Sequence, residues 1–186
     1  NMYDYRAESG ILVHQYGPHT FHTDKPELYE YMKRFCDWEE YRLTCGAKIN
    51  GKYTPTPFNF KTIDDFFPEQ TENIKNEIKN EFGESQQATV VDMLESSNKI
   101  VRDYAQFLFD NDYSLYTAKQ WGISPKEIDV SVLKRVPVEF SYREEYFRDK
   151  YQYMPKISYA EFFENLLEHK NIQICLNKEA LEDISI

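Results

Sequence analysis

The chain has 186 residues, of which 41% are hydrophobic and 16% aromatic, so it can bury a sizeable core and does not have the composition of a disordered protein. Its 32 acidic residues against 22 basic residues give a net charge of −10, which argues against nucleic-acid binding. Three widely spaced cysteines and the lack of an apolar run of about 18 residues predict a cytoplasmic protein without a disulfide framework or membrane insertion.

The first third of the chain predicts a strand, a helix and a hairpin, in that order. The segment GILVHQYG alternates in polarity, as a strand does. Pro26 suits the first turn of a helix, with Thr23 or Asp24 as the N-cap. Asn50-Gly51 lies between two extended runs and predicts a β-hairpin, because both residues tolerate positive φ.

The middle of the chain, residues 62–121, is predicted to be mostly helical. Apolar residues recur at helical spacing in three stripes: Ile74, Ile78 and Phe82; Val90, Met93 and Leu94; and Val101, Tyr104, Ala105 and Leu108. Gly83 suits the C-terminal end of the first of these helices.

The last part of the chain predicts further strands and one helix. Residues 136–142 alternate as a strand, and so do residues 172–176. Ser158 and Glu161 have the spacing of a capping box, which predicts the start of a helix between these two strands. The predicted fold class is therefore α+β, with a helical bundle flanked by antiparallel strands.

Three of the four histidines, His14, His19 and His22, lie within ten residues of one another. A metal site, an acid/base site and a tight loop that presses against a ligand are the three alternatives. No HExxH pattern or facing cysteine pair supports a metal site. The Gly17-Pro18 turn beside His19 favours a rigid loop.

The segment LYTAKQWG places two aromatic rings near a predicted helix end. Tyr116 and Trp121 are followed by Gly122, and rings in such a position can stack on a flat base. Ordinary helix packing is the alternative that the residues alone favour.

Arg135 follows Lys134 in a stretch that contains Ser and Pro, within an otherwise acidic chain. A guanidinium group matches a phosphate or a carboxylate with two parallel hydrogen bonds. A solvated pair of surface charges is the alternative reading.

Five segments occur in the order found in one enzyme family. They are YGPHTFHT, the INGKY hairpin leading to PFN, YTAKQWG, LKRVPVEFSY and EEYFRDKYQ with the following MP. In these segments the chain resembles the UDP-galactopyranose mutases over nearly its whole length.

The resemblance implies a flavoenzyme that interconverts UDP-galactopyranose and UDP-galactofuranose. In that family reduced FAD attacks the anomeric carbon through flavin N5 and UDP departs. The expected partners are therefore these two nucleotide sugars, and pairing of two copies into a homodimer is left open.

The resemblance also implies roles for individual residues on the substrate side. Arg135 would clamp the diphosphate and stabilise the departing UDP as a catalytic residue. Tyr116 would stack on uracil, Trp121 would line the nucleotide pocket, and the hydroxyl of Tyr146 would bind the diphosphate.

On the cofactor side, the resemblance implies that His19 and Thr20 press against the flavin, with His19 in a catalytic position. Asn1 would lie beside the flavin, and His22 would support the histidine loop from behind. No metal is expected.

The resemblance divides the chain into three regions of a three-part flavoprotein. Residues 1–23 hold a strand and the histidine loop next to the FAD domain. Residues 24–135 form a mainly helical substrate-binding domain, with a hairpin near 41–60 and a mobile loop at 122–135. Residues 136–186 add antiparallel strands and a helix. The glycine-rich FAD-binding segment and the C-terminal part are expected to lie outside this chain, and the isolated fragment is expected to be inactive.

Four positions depart from the family pattern. Leu43 replaces a polar residue that faces the substrate, Leu115 and Tyr153 replace glycines, and Glu139 replaces an arginine. These departures keep open the alternative of a nucleotide-sugar-binding homologue or a diverged flavoprotein without mutase activity.

Overall fold

The computed structural model describes residues 2–124, 127, 130–134 and 136–178. The strands are β1 (Asp4–Arg6), β2 (Leu12–His14), β3 (Phe21–Thr23), β4 (Trp38–Glu40), β5 (Cys45–Ile49), β6 (Lys52–Thr56), β7 (Gln87–Ala88), β8 (Val138–Glu139) and β9 (Tyr151–Pro155). The helices are α1 (Pro26–Met32), α2 (Phe60–Phe66), α3 (Thr71–Phe82), α4 (Val90–Leu94), α5 (Lys99–Leu108), α6 (Ser114–Trp121), α7 (Val130–Leu133) and α8 (Tyr159–Leu167). A π-helical turn, Phe109–Tyr113, joins α5 to α6.

The chain forms two compact units. The terminal unit combines Asn1–Tyr41 with Asp149–Ile186, and the central unit is Arg42–Arg148. Helices with small antiparallel sheets in both units confirm the α+β class. None of the described helices is long and apolar enough to cross a membrane.

The terminal unit contains the antiparallel pair β1–β2 and a three-stranded antiparallel sheet in the order β3-β9-β4. Its core is aromatic, and the buried rings of Trp38, Tyr159 and Phe162 form its centre. The carboxylate of buried Asp4 accepts hydrogen bonds from the backbone N–H groups of Tyr159 (2.7 Å) and Ala160 (3.1 Å). A carboxylate is favourable there because the first N–H groups of a helix have no intrahelical partner.

The central unit contains the hairpin β5–β6 and the short pair β7–β8, packed with helices α2 to α6. The predicted hairpin is confirmed, and Asn50 and Gly51 both have positive φ (49° and 84°). Apolar stripes predicted from the sequence line the core, which includes Ile74, Ile78, Val101 and other fully buried residues. The predicted capping box of Ser158 and Glu161 is likewise present in the terminal unit.

Three local predictions are wrong. Residues 172–176 form no strand, and Ile172, Ile174 and Leu176 are exposed. Alternation alone does not make a strand, and this segment has no neighbouring strand among the described residues. The predicted strand over 136–142 is reduced to β8, because its partner β7 offers only two residues for pairing.

The third wrong prediction concerns the cap of α1. The N-cap residue is Lys25, which makes no side-chain capping bond. Asp24 instead accepts a hydrogen bond from the backbone N–H of Lys150 (2.8 Å), and the hydroxyl of Thr23 accepts one from Lys25 N–H (3.1 Å). The side chains of Thr23 and Asp24 therefore bind backbone N–H groups of Lys25 and Lys150 and do not cap the helix.

One buried lysine stabilises the helical side of the central unit. The ammonium group of Lys75 on α3 donates to the carboxylate of Asp64 on α2 (2.6 Å) and to the hydroxyl of Tyr142. The Tyr142 hydroxyl in turn donates to the second Asp64 oxygen (2.9 Å). Partial desolvation opposes ionisation of Asp64, but the hydrogen bonds from Lys75 and Tyr142 outweigh it and lower the pKa of Asp64.

Acidification should abolish the contribution of Asp64 to stability. Because the pKa of Asp64 is lower in the folded state, its contribution is complete above the unfolded pKa of about 4 and is lost as the pH falls through the folded value. We expect Asp64→Asn to lower the free energy of unfolding at about pH 7, and the difference from the wild type to shrink toward about pH 3. Urea denaturation over this range measures the difference.

The matched control is Asp103→Asn, which removes the exposed partner of Lys99 on α5. An exposed pair contributes little, so we expect only a small loss for this variant at every pH. A difference between wild type and Asp64→Asn that stays constant from neutral to acidic pH would contradict the assignment.

Candidate functional site

Helix α6 carries the two aromatic residues that the sequence singled out. Tyr116 and Trp121 are each 60% exposed, so neither ring is used for core packing in the described structure. The side-chain amide of Gln120 donates to the Tyr116 hydroxyl (3.1 Å). Helix α6 ends at Gly122, which has φ of +66° and takes the left-handed conformation that glycine adopts readily.

The two rings point in different directions. On a regular helix, residues five apart are separated by about 140° around the axis. Tyr116 and Trp121 therefore cannot clamp one base between them from the helix alone. Both side chains are exposed, Tyr116 within α6 and Trp121 as its last residue.

The residue that links this helix to the rest of the site is Tyr113, which no sequence motif or hydrophobic pattern indicated. Tyr113 ends the π-helical turn, is 6% exposed and packs edge-on against Phe58, with ring centroids 5.6 Å apart. Its hydroxyl donates to the carbonyl oxygen of Val136 (2.9 Å). Burial raises the pKa of Tyr113, and the neighbouring Asp112 carboxylate and Tyr146 phenol raise it further.

Tyr113 thus brings together three segments with predicted site residues. It lies three residues before Tyr116, it holds the residue that follows Arg135 in the sequence, and it lies within electrostatic reach of Tyr146. A π-helical turn inside a helical stretch leaves no clear mark in the hydrophobic pattern, which is why this contact was not predicted.

Tyr146 lies on a segment that pairs with the start of the β5 hairpin. Thr44 and Glu145 form an isolated antiparallel bridge, and the backbone N–H of Tyr146 donates to the carbonyl oxygen of Leu43 (2.8 Å). The Tyr146 ring meets the edge of Phe147 with centroids 5.0 Å apart. The backbone of Tyr146 is therefore fixed by a strand-like contact.

Two of the predicted site residues, Arg135 and Asn1, lie outside the described residues. The roles given to them stay predictions. The same holds for the predicted loop 122–135, of which the structure describes only parts.

The histidine loop lies in the terminal unit. Gly17 has φ of +98°, and its carbonyl oxygen accepts a hydrogen bond from Nδ1–H of half-buried His19 (2.9 Å). When the ring carries only this proton, the second ring nitrogen Nε2 can accept a hydrogen bond. Half-buried Thr20 follows directly with a hydroxyl group.

These two side chains fit a flavin. The edge of a reduced flavin ring carries N–H donors and carbonyl acceptors, and an imidazole nitrogen together with a hydroxyl group can pair with such groups. The Gly17 turn fixes the imidazole through Nδ1 and so leaves its other nitrogen for such a ligand.

The other two histidines of this segment, His22 and His14, contact residues of the terminal unit. His22 on β3 donates from Nδ1 to the carboxylate of Asp149 (2.9 Å). The ring of His14 meets the ring of Tyr159 edge-on, with centroids 5.8 Å apart. Across the described ranges, no three side chains of His, Cys, Asp or Glu converge as metal ligands.

Glu139, one of the four departures, has a structural explanation. Its carboxylate is 2% exposed and forms a two-pronged ion pair with the guanidinium of Arg148, whose side chain is 35% exposed. Arg148 also donates to the side-chain and backbone oxygens of Gln86. The acidic residue on β8 is therefore compensated inside the central unit.

Tyr153 is accommodated in the terminal unit in a different way. Its ring stacks on Tyr29 of α1 with centroids 4.4 Å apart, next to Tyr151, whose centroid is 4.9 Å from that of Tyr29. Burial, together with the neighbouring Tyr153, raises the pKa of Tyr29 to about 12. Leu115, the third departure, is 58% exposed on α6 beside Tyr116.

Comparison with known proteins bears on the family that the chain resembles. A family model described as UDP-galactopyranose mutase matches residues 111–185, which include Tyr113, Tyr116 and Tyr146. A probable UDP-galactopyranose mutase of Klebsiella pneumoniae is 34% identical over 184 residues, which cover 98% of this chain and 47% of the relative. The predicted resemblance to the UDP-galactopyranose mutases is confirmed.

Two further relatives show how broad this resemblance is. A dTDP-fucopyranose mutase of Escherichia coli is 34% identical over 180 residues, covering 96% of this chain and 47% of the relative. A UDP-galactopyranose mutase of Mycoplasma pneumoniae is 30% identical over 181 residues, covering 95% of this chain and 45% of the relative. The chain thus spans about half the length of the curated mutases that it matches.

Loss of Arg148 should destabilise the central unit. In Arg148→Met the carboxylate of Glu139 stays buried without its partner, and breaking one side of a buried pair costs about 3 kcal/mol of unfolding free energy. Urea denaturation at neutral pH measures this loss. Adding Glu139→Gln to the variant removes the buried charge and should recover much of the stability.

Lys99→Met serves as the control, because it breaks the exposed pair with Asp103 on α5. That change should cost less than about 1 kcal/mol. If Arg148→Met is no more destabilising than Lys99→Met, the ion pair with Arg148 does not stabilise the buried carboxylate of Glu139.

Proposed function

We propose that the whole protein is a mutase that interconverts UDP-galactopyranose and UDP-galactofuranose, an intramolecular transferase. The observation that carries the proposal is the hydrogen bond from Tyr113, three residues before the exposed Tyr116, to the carbonyl of Val136, which follows Arg135 in the sequence. Similarity to curated mutases over 95–98% of the chain supports it.

In this proposal the central unit binds the nucleotide. The exposed face of Tyr116 stacks on uracil, which needs only a π surface, and Trp121 covers a further part of the nucleotide. The hydroxyl of Tyr146 donates to the diphosphate, and Arg135 binds the same group through its guanidinium. The backbone bond of Tyr146 to Leu43 supports that tyrosine.

The same groups would lower the barrier to the reaction. Breaking the bond between the anomeric carbon and the diphosphate builds negative charge on the departing oxygen, and a cation and a hydroxyl placed there stabilise it. A reduced FAD, when bound, would supply the nucleophile for the anomeric carbon. His19 and Thr20 would hold the flavin, with His19 Nε2 as an acceptor and the Thr20 hydroxyl as donor or acceptor.

A second candidate substrate is a dTDP-linked fucopyranose. The dTDP-fucopyranose mutase and the probable UDP-galactopyranose mutase are equally identical to this chain, at 34%. Overall similarity therefore does not select the sugar or the base. A nucleotide-sugar-binding homologue without mutase activity is the remaining alternative. The ion pair of Glu139 with Arg148 gives a structural explanation for one of the four departures that favour it.

Cytoplasmic location and association into homodimers remain predictions. So does the inactivity of these 186 residues on their own.

Substitution of the nucleotide-binding residues should weaken UDP binding. For Arg135→Ala we expect a loss of about 1.5–3 kcal/mol, because a charge-assisted bond to the diphosphate is removed. For Tyr116→Ala we expect a loss of about 1–3 kcal/mol from the missing stacking on the base. Isothermal titration of UDP into the whole protein measures both.

Each variant has a matched control in the central unit. Lys134→Ala removes an exposed positive charge next to Arg135, and Tyr53→Ala removes a tyrosine that is 71% exposed on β6. Both controls should bind UDP as the wild type does. Equal affinities for Arg135→Ala and Lys134→Ala would refute the diphosphate clamp.

A further inference from the structure

Leu43 lies directly across from Tyr146. The antiparallel bridge between Thr44 and Glu145 sets the register, and the bond from Tyr146 N–H to the Leu43 carbonyl (2.8 Å) fits it. Residues opposite each other in an antiparallel pair point to the same face, with Cβ atoms about 4.5–5.5 Å apart. The Leu43 side chain therefore lies beside that of Tyr146.

The apolar side chain of Leu43 lies at the margin of the core. Cys45, Ala47 and Ile49 follow Leu43 at every second position, so all four residues share the inner face of this strand. Ala47 and Ile49 pack in the core of the central unit, but Leu43 is half-buried and is not among the described apolar residues packed there. Its half-buried side chain lies beside Tyr146, where a ligand bound to that residue would meet it.

The position of Leu43 beside Tyr146 would place it close to the sugar of a bound nucleotide sugar. In the proposed function, on which this step rests, Tyr146 binds the diphosphate, and the sugar is bonded directly to that group. A leucine side chain has no hydrogen-bonding group, so a sugar hydroxyl buried against it would stay unpaired. A methyl group at the same place would lose nothing on leaving water.

We propose that Leu43 is a specificity-determining residue that makes the sugar pocket favour a 6-deoxyhexose over a hexose with a 6-hydroxyl group. Galactose and fucose, the two candidate sugars, differ at this carbon, which bears a hydroxymethyl group in one and a methyl group in the other. Of the other departures, Glu139 is paired in the core, Leu115 lies exposed on α6 and Tyr153 belongs to the terminal unit.

The test compares two substrates that share one nucleotide. The whole protein with reduced FAD is assayed with UDP-galactofuranose and with UDP-6-deoxygalactofuranose, so that only carbon 6 differs. We expect kcat/KM to be higher for the 6-deoxy sugar, by about 10-fold, the scale on which an apolar pocket distinguishes such groups. Leu43→Asn should shift this ratio at least about 10-fold toward galactose, and Leu43→Met should keep it.

Leu176→Asn is the control, because this leucine is 79% exposed and belongs to the terminal unit. It should leave the ratio unchanged. If Leu43→Asn does not fold, Leu43→Thr provides the polar side chain with a strand-forming residue. A wild type that prefers UDP-galactofuranose, together with a ratio that Leu43→Asn does not change, would overturn the proposal.

The same assay distinguishes a wrong mutase assignment from a wrong role for Leu43. If the wild type turns over neither sugar, the mutase assignment is wrong. The dissociation constants of the two nucleotide sugars, measured by titration, then decide the selectivity alone. Tighter binding of the 6-deoxy sugar that is lost in Leu43→Asn supports the role of Leu43, and equal binding rejects it.

Discussion

The hydrogen bond from the buried Tyr113 hydroxyl to the Val136 carbonyl is the contact on which the candidate site depends. It joins the π-helical turn before α6 to the segment before β8, which are distant in the sequence. It ties the helical stretch that carries the exposed ring of Tyr116 to the residue that follows the predicted clamp residue Arg135. Burial raises the pKa of the Tyr113 phenol, so the group stays protonated and keeps donating.

Local sequence patterns predicted the helices and the hairpin that are specified by residues close together in the sequence. Helix α3 follows from its apolar stripe, the β5–β6 hairpin from Asn50-Gly51, and the start of α8 from the capping box of Ser158 and Glu161. The strand predicted over 172–176 failed because a strand needs a neighbour, which periodicity does not provide. The caps predicted for α1 failed because distant backbone groups compete for the same side chains, as Lys150 does for Asp24.

The residues of the candidate site were predicted from the resemblance to the mutase family and not from hydrophobic periodicity. The exposure of Tyr116 and Trp121 agrees with a binding role, although the residues alone favoured ordinary packing. The support behind these residues could not be predicted, because it consists of contacts between distant segments, such as Leu43 with Tyr146 and Glu139 with Arg148. Two of the four departures from the family pattern, Leu43 and Glu139, take part in these contacts. One is compensated in the core, and the other changes the chemistry beside the proposed diphosphate site.

The central claim is that the whole protein catalyses pyranose–furanose exchange. Its most direct test is a turnover assay with flavin reduced by dithionite, in which a nucleotide-linked furanose is supplied and formation of the pyranose is followed. The account predicts turnover with reduced flavin and none with oxidised flavin. A protein that binds flavin and the nucleotide sugar but forms no pyranose in the reduced state would contradict it.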